Sequence, residues 1–268
     1  MLKKEKLSKK VKKTESANNR MNLIDSLRGI TIISMVLFHG SWDMVYLFAH
    51  DWPWYLSKGA YVWQQSICWT FILISGFCFY FSKRHYKRGL TVFIAGIIIS
   101  AATLIFMPPG NGIIFGILTF MGSAMLIFAV LDKYLRGVKE EIGICISVLL
   151  FFIFRNINIG YLGFEGIRFC KLPEQLFKGY FMTYLGFRDM TFYSTDYFSI
   201  IPWIFLFMTG YYLCPIVFKL CKKQLESKKG LLYFNVPGLS FIGRHSLIIY
   251  MLHQPIIYVV LMALHGGF

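Results

Sequence analysis

Seven apolar runs, each near the length that crosses a bilayer, set the limits on what this chain can fold into. They lie from Leu23 to Ala49, Tyr61 to Ser82, Leu90 to Met107, Gly112 to Leu131, Ile142 to Phe154, Tyr197 to Leu220 and Leu239 to Leu264. A membrane-spanning helix needs about 20 predominantly apolar residues. The fifth run is the shortest and approaches that length only by extending through Ile157. The runs are too long for strands and lack the two-residue alternation of a membrane barrel. Breaks fall where turn residues or charges gather: Pro108, Pro109 and Gly110; Asp132 to Glu141; Lys219 to Gly230; and Asn235, Pro237 and Gly238 before the last run.

The expected fold is therefore an all-α, polytopic membrane helix bundle of about seven transmembrane helices with a cytoplasmic N-terminus. It divides into a basic cytoplasmic segment, 1–20, and a membrane domain, 21–268. Charge supports this reading. The formal net charge is +15, yet only 15% of residues are charged and 56% are hydrophobic. A soluble domain carries about 25% charged residues, so a soluble nucleic-acid binder is excluded as an expectation, and so is a disordered chain. With the N-terminus inside, 20 of the 28 Lys and Arg fall on the cytoplasmic side. They occupy Lys3 to Arg20, Lys83 to Arg88, Lys133 to Lys139 and Lys219 to Lys229. Six fall on the other side, which is the bias that orients membrane helices. The first run has no small-x-small cleavage site, so it reads as a retained helix of a multi-pass protein. The six cysteines show no CxxC or Cys/His metal spacing, so neither a disulfide framework nor a metal site is expected.

Ionisable residues inside the bilayer are costly and are functional candidates. The first run carries Asp25, Arg28, His39 and Asp43. Arg28 and His39 are eleven residues apart, close to three turns and about 16 Å of rise, so they share a stripe. Asp43 lies four residues beyond His39, placed to accept its Nδ1 proton and fix its tautomer. In the last run Arg244 and His245 stand at the start, and Ser246, Tyr250 and His253 follow on one helical face. Pro255 removes the backbone bond to Met251, which predicts a kink near His253. Together these residues describe a cationic cytoplasmic mouth leading to a deeper histidine pocket. Simpler roles stay open: Arg28 snorkelling or pairing with Asp25, and His39 and His253 as satisfied interhelical polar groups. His50 reads as interfacial beside Asp51 and Trp52, and the Trp residues as interface belts.

The residues also resemble a known family. The blocks NLIDSLRGITIISMVLFHGSWDM, IIFGILTFMG, DYFSIIPWIFLFMTGYYL and IGRHSLIIYMLHQPIIY are similar to helices of the heparan-α-glucosaminide N-acetyltransferase catalytic-domain family. The resemblance runs from about residue 20 to 262. The Arg28–His39 spacing is also similar to that of acyltransferase family 3. The resemblance implies transfer of an acyl group, usually acetyl, from cytosolic acyl-CoA to a glycan or cell-envelope acceptor across a plasma (inner) membrane. Either His39 or His50 would match the animal family's catalytic histidine. On this reading Arg28 and Arg244, with Lys83, Arg84 and Arg88, meet the acetyl-CoA phosphates, since arginine bonds phosphate through two donors. His245, Ser246 and Tyr250 complete the donor site. His39, oriented by Asp43, is the general base, with a covalent acyl-histidine as the rival route. His253 or Tyr250 stabilises the oxyanion or leaving thiolate. The segment from Arg155 to Asp196, rich in Tyr and Phe, reads as an acceptor cleft or as an amphipathic helix on the bilayer surface. A transporter or flippase and a non-catalytic membrane subunit are the alternatives, and a homodimer is an open assembly.

Overall fold

The computed structural model describes residues 21–107, 110–227 and 230–265. The basic segment 1–20, Pro108, Pro109, Lys228 and Lys229 lie outside the described residues. Among the described residues, seven helices are long and apolar enough to cross a membrane. In chain order the helices are α1 (Asn22–Tyr46), α2 (Lys58–Tyr80), α3 (His85–Phe106), α4 (Ile117–Leu135), α5 (Glu140–Phe154), a short α6 (Tyr180–Leu185), α7 (Trp203–Leu220), a short α8 (Lys222–Ser227), α9 (Pro237–Arg244) and α10 (Ser246–Leu264). The expected all-α polytopic membrane fold is thus present. Large apolar side chains such as Leu37, Ile105 and Leu149 are exposed along these helices, as on any face turned to lipid.

Besides shifts of a few residues at helix ends, the structure differs from expectation in the last span, the sixth span and the segment before it. The last apolar run is broken into α9 and α10 at His245, whose φ of −102° and ψ of 17° interrupt the helix. Meanwhile α10 continues through Pro255 to Leu264, so the helix break lies at His245, not beside His253. The sixth span begins at Trp203 rather than Tyr197. Between α5 and α7 the chain forms a two-stranded antiparallel hairpin, β1 (Tyr161–Phe164) and β2 (Ile167–Lys171), in place of a surface helix. Asn156 explains the hairpin. Its Nδ2 donates to the Glu165 and Ile167 carbonyls, each at 2.9 Å, and so clamps the turn.

The chain forms two compact units. Of the described residues, the first comprises those up to Cys68, which include the first half of α2, together with those from Val217 onward. Here α1 and α9 meet through small residues. A Cβ on Gly29 would overlap the Leu239 carbonyl, and one on Gly243 the Asp25 carbonyl. Between them the buried Ser26 and Ser240 hydroxyls bond at 2.8 Å, and Ser240 donates to Asn235 Oδ1 at 2.7 Å. Small residues that let backbones approach, with hydroxyls as glue, are how helices associate where no water drives them together. Trp63 of α2 donates its indole N–H to Ser34 Oγ of α1 at 2.7 Å.

The second unit, Trp69–Ile216, uses the same device. A Cβ on Gly76 would overlap the Phe207 carbonyl, and one on Gly210 the Leu73 carbonyl, so α2 and α7 touch backbone to backbone. At one end the buried Tyr211 donates its hydroxyl to Asp132 Oδ1 at 2.7 Å. Arg136 bonds Asp132 Oδ2 at 2.8 Å and the Tyr80 carbonyl at 2.7 Å, tying α4 to α2. At the other end Asp196 Oδ2 accepts the Ile117 N–H at 3.1 Å and caps the start of α4.

Gly29→Val and Gly210→Val are each expected to destabilise the fold by about 1–3 kcal/mol, because the opposing atoms are backbone and cannot yield. Gly238→Ala, where a Cβ would meet nothing within 4 Å, should be neutral or slightly stabilising. Thermal unfolding in detergent measures all three. Asp196→Ala should cost about 1 kcal/mol as a lost helix cap, read in the same assay.

Candidate functional site

The intramembrane polar residues of the first unit come together where α1 faces α10. His39 and Asp43 stand one turn apart on α1, and His253 and Gln254 are neighbours on α10. The His39 and His253 rings lie edge to face, with centroids 4.9 Å apart. The two histidines of the expected deeper pocket thus meet across the two helices. Tyr250, one turn before His253, is buried with its ring centroid 5.3 Å from the His253 ring.

The carboxylate of Asp43 is fully buried, at 0% exposure. Its Oδ1 accepts a hydrogen bond from Gln254 Nε2 at 2.6 Å. Among the described residues no hydrogen bond joins Asp43 to His39, so the predicted carboxylate–imidazole pair within α1 is replaced by a carboxylate–amide pair across the two helices. The reason is geometric. Residues four apart on one helix project side by side, whereas α10 presents an amide directly opposite the carboxylate. Gln254 is the residue that a reading based on charge passes over. Its signal was present all the same, as an uncharged polar side chain between His253 and Pro255 in an otherwise apolar run.

Among the described residues, three buried atoms around this contact have no hydrogen-bond partner: Asp43 Oδ2, Gln254 Oε1 and His253 Nε2. The other ring nitrogen of His253, Nδ1, lies 2.5 Å from the Tyr250 carbonyl oxygen. Tyr55, in the turn after α1, sits near the same carboxylate. Burial, with Tyr46 and Asp43 nearby, pushes its phenol above the ordinary value.

Toward the start of α1, Arg28 pairs with Asp25 at 3.3 Å, with both side chains largely buried. The pairing of these two residues, one of the simpler roles open to Arg28, is thus observed. Gly243 packs on the Asp25 carbonyl so closely that an added Cβ would also lie 3.0 Å from the Gly29 nitrogen, which brings the neighbouring Arg244 to the level of Arg28. Arg244 and His245 are exposed, and Ser246 opens α10. His245 Nδ1 lies 2.9 Å from the Phe241 carbonyl. His50, the alternative to His39, follows α1 and meets His265, Nε2 to Nε2 at 2.9 Å, at an exposed position.

In the second unit, Lys83, Arg84 and Arg88 are exposed around the start of α3. The segment from Arg155 to Asp196 carries the hairpin, α6 and an aromatic cluster. In it Phe115 lies 4.9 Å from Tyr184 and stacks on Phe192 at 5.8 Å. Burial pushes the Tyr197 phenol up to about 12.

Residues 20–255 match the family model described as heparan-alpha-glucosaminide N-acetyltransferase, catalytic. No curated protein and no solved structure matches the chain. The matched stretch contains every residue of the α1–α10 contact described above, and it covers most of the chain. Seven apolar helices and a family of membrane acetyltransferase type describe a multi-pass integral membrane protein with transferase activity. On that match, the chain belongs to the heparan-α-glucosaminide N-acetyltransferase catalytic-domain family.

Proposed function

We propose that this protein transfers an acetyl group from acetyl-CoA, bound from the cytoplasm, to a hydroxyl or amine of a glycan or cell-envelope acceptor on the far side of the plasma (inner) membrane. The observation that carries the reading is the imidazole pair of half-buried His39 and buried His253, set inside a stretch that matches an acetyltransferase family. The lysine and arginine bias of the loops supports the orientation.

The residues suit an acyl thioester with a phosphorylated tail. Arg28 and Arg244 stand at one level near the start of α1 and would meet phosphate oxygens. Asp25 holds the Arg28 guanidinium in place rather than leaving it to snorkel. His245 and Ser246 border the same mouth. About 16 Å further along α1 lie His39 and His253, which is where the thioester would be presented. Acetyl-CoA supplies the activated acyl carbon; the protein supplies the proton chemistry. An imidazole takes the acceptor's proton as its heteroatom attacks. Tyr250 offers a hydroxyl for the developing oxyanion. Asp43, held by Gln254, fixes the face of α10 that carries His253. The orphaned acceptor atoms fit a site that receives a donor group from the acceptor molecule.

Acetyl-CoA should stabilise the purified protein, by about 2.7 kcal/mol at a hundredfold excess over Kd. A thermal shift in detergent checks this, and desulfo or acyl-free thiol controls separate the tail from the acyl group. Arg28→Gln and Arg244→Gln should each weaken acetyl-CoA binding by about tenfold or more, since a charged hydrogen bond is worth about 1.5–3 kcal/mol. The double variant His39→Asn/His253→Asn should retain the thermal shift while acetyl transfer falls by about 10²–10⁴-fold. A folded wild-type protein with neither a thermal shift nor acetyl transfer would reject the proposal.

A further inference from the structure

We propose that the loop from Lys178 to Tyr193 lies in the headgroup layer of the bilayer, its apolar tips against lipid and its two exposed cations on the phosphates of anionic phospholipid. The proposal concerns a binding surface of the second unit and does not depend on the acetyl-transfer reading. It starts from depth. Tyr184 of α6 and Ser123 of α4 share a hydrogen bond between their hydroxyls. Ser123 lies six residues past Ile117, the first residue of α4, which is about 9 Å along the helix axis. A tyrosine side chain is shorter than that, so the backbone of α6 stands no further out than the start of α4. The end of α6 is tied to the approach of α7. The Ile200 N–H donates to the Tyr184 carbonyl at 2.9 Å, and the Ile201 N–H to the Leu185 carbonyl at 2.8 Å. Both α4 and α7 are long and apolar enough to cross the membrane, so α6 sits level with the point where apolar spans begin.

The loop is closed on itself by one carboxylate. Asp189 accepts three donors: the Gly179 N–H at 2.8 Å, the Thr191 N–H at 2.9 Å and the Thr191 hydroxyl at 2.8 Å. Gly179 has a φ of +83°, the left-handed region that favours glycine, and this turns its N–H toward Asp189. The bonds set residues 178–181 beside 188–193. Tyr180 then rests edge-on against the buried Phe192, with ring centroids 6.0 Å apart. Large apolar side chains are left outside: Tyr180 at 68% exposure, Phe181 at 71%, Met190 at 91% and Tyr193 at 61%. Lys178 and Arg188 are exposed in the same loop, and among the described residues neither enters an ion pair.

The chemistry of this rim selects lipid over sugar. A sugar is held by polar groups around an aromatic face, and here the neighbouring hydroxyls are spent within the chain. Tyr197 donates to the Thr183 carbonyl, Thr191 to Asp189, Ser194 to the Asp196 carbonyl and Thr195 to the Asn111 carbonyl. What the rim offers is apolar surface at the edge of the hydrocarbon, with two cations beside it. In water, side chains so exposed would forgo the free energy of burial, whereas at the bilayer boundary they gain it. Tyrosine places its ring at headgroup level, and Lys and Arg carry their charged ends to phosphate while their stems stay on apolar surface.

Two measurements test the proposal, and neither reads activity. The first uses the wild-type chain with carbon-13 methionine methyls, in nanodiscs of phosphatidylcholine and phosphatidylglycerol. The Met190 signal is the one lost in Met190→Leu. Phospholipid spin-labelled near the headgroup should broaden that signal more than an aqueous gadolinium chelate does, and the reverse order would overturn the proposal. The second measurement titrates short-chain phosphatidylglycerol or phosphatidylcholine into the protein in detergent and reads the same methyl. The wild-type chain should prefer the anionic lipid. Lys178→Gln/Arg188→Gln should reduce that preference by about tenfold or more, since each cation near an anionic surface is worth about a fivefold factor. A preference unchanged in the variant, or a response to inorganic phosphate alone that matches the response to phosphatidylglycerol, would overturn the proposal. So would a Met190 response to a soluble oligosaccharide with none to either lipid, which would make the rim a glycan site.

Discussion

In a bilayer no water is available to satisfy a buried polar group, so a group on a membrane helix that finds no partner within the protein bears the full cost of its burial. In the first unit the helix that answers this demand is α1. It supplies Ser26 to Ser240, Ser34 to Trp63, and Asp43 to Gln254. The sequence offsets of the contacts with the last segment barely change along the helix: 214 residues for Ser26–Ser240, 211 for Asp43–Gln254 and 215 for His50–His265. A near-constant offset means that α1 runs parallel to α9 and α10 from one end to the other. Seven crossings require the same thing, since the first and seventh spans must traverse the membrane in one direction. Parity and hydrogen bonding agree, although they derive from different residues.

The break at His245 lets one chain segment make two different contacts with α1. Near Gly29 the backbones nearly touch, because glycines stand at Gly29 and Gly243. Near His39 the helices must stand further apart, since two imidazoles fit between them with centroids at 4.9 Å. A straight rod packed on another keeps one crossing angle and one distance of closest approach. Interrupting the helix at His245 separates the two regimes. Close glycine packing anchors α9, and α10 then has room for side chains with chemistry. Pro255 has a smaller part than its helix-breaking reputation suggests: α10 contains it without ending.

How much of this was legible in the sequence follows from what each feature depends on. The seven spans were legible because bilayer thickness imposes a length on each helix, and length is a property of a single run. The stripe of Arg28, His39 and Asp43 was legible because helical periodicity fixes which residues of one helix share a face. The convergence of His39 and His253 was also within reach, as equal depth in spans that run the same way. What escaped was anything set by a partner on another helix. Asp43 was matched with the group nearest along its own helix, whereas the group that bonds it comes from 211 residues away. The hairpin depends on Asn156 bonding two carbonyls across a turn, a contact with no periodic signature. The His245 break has no Gly or Pro at the break itself and is set by packing on α1.

The unpartnered acceptors then bear on function through their cost. Burying a polar atom without a partner costs about 1–3 kcal/mol, and more in a membrane interior, where competing water is absent. Elsewhere in the first unit polar side chains pair with one another, serine against serine and indole against serine. It nevertheless leaves Asp43 Oδ2, Gln254 Oε1 and His253 Nε2 open along one interhelical contact. Satisfying Asp43 with an arginine would have been simple in a chain with 28 Lys and Arg. An amide was used instead, and an amide brings a further acceptor oxygen with it. A salt bridge there would have closed the site electrostatically, whereas the carboxylate–amide pair leaves the contact rich in lone pairs and poor in protons. Such a contact is one that a molecule with N–H or O–H groups would complete, as the proposed reaction requires.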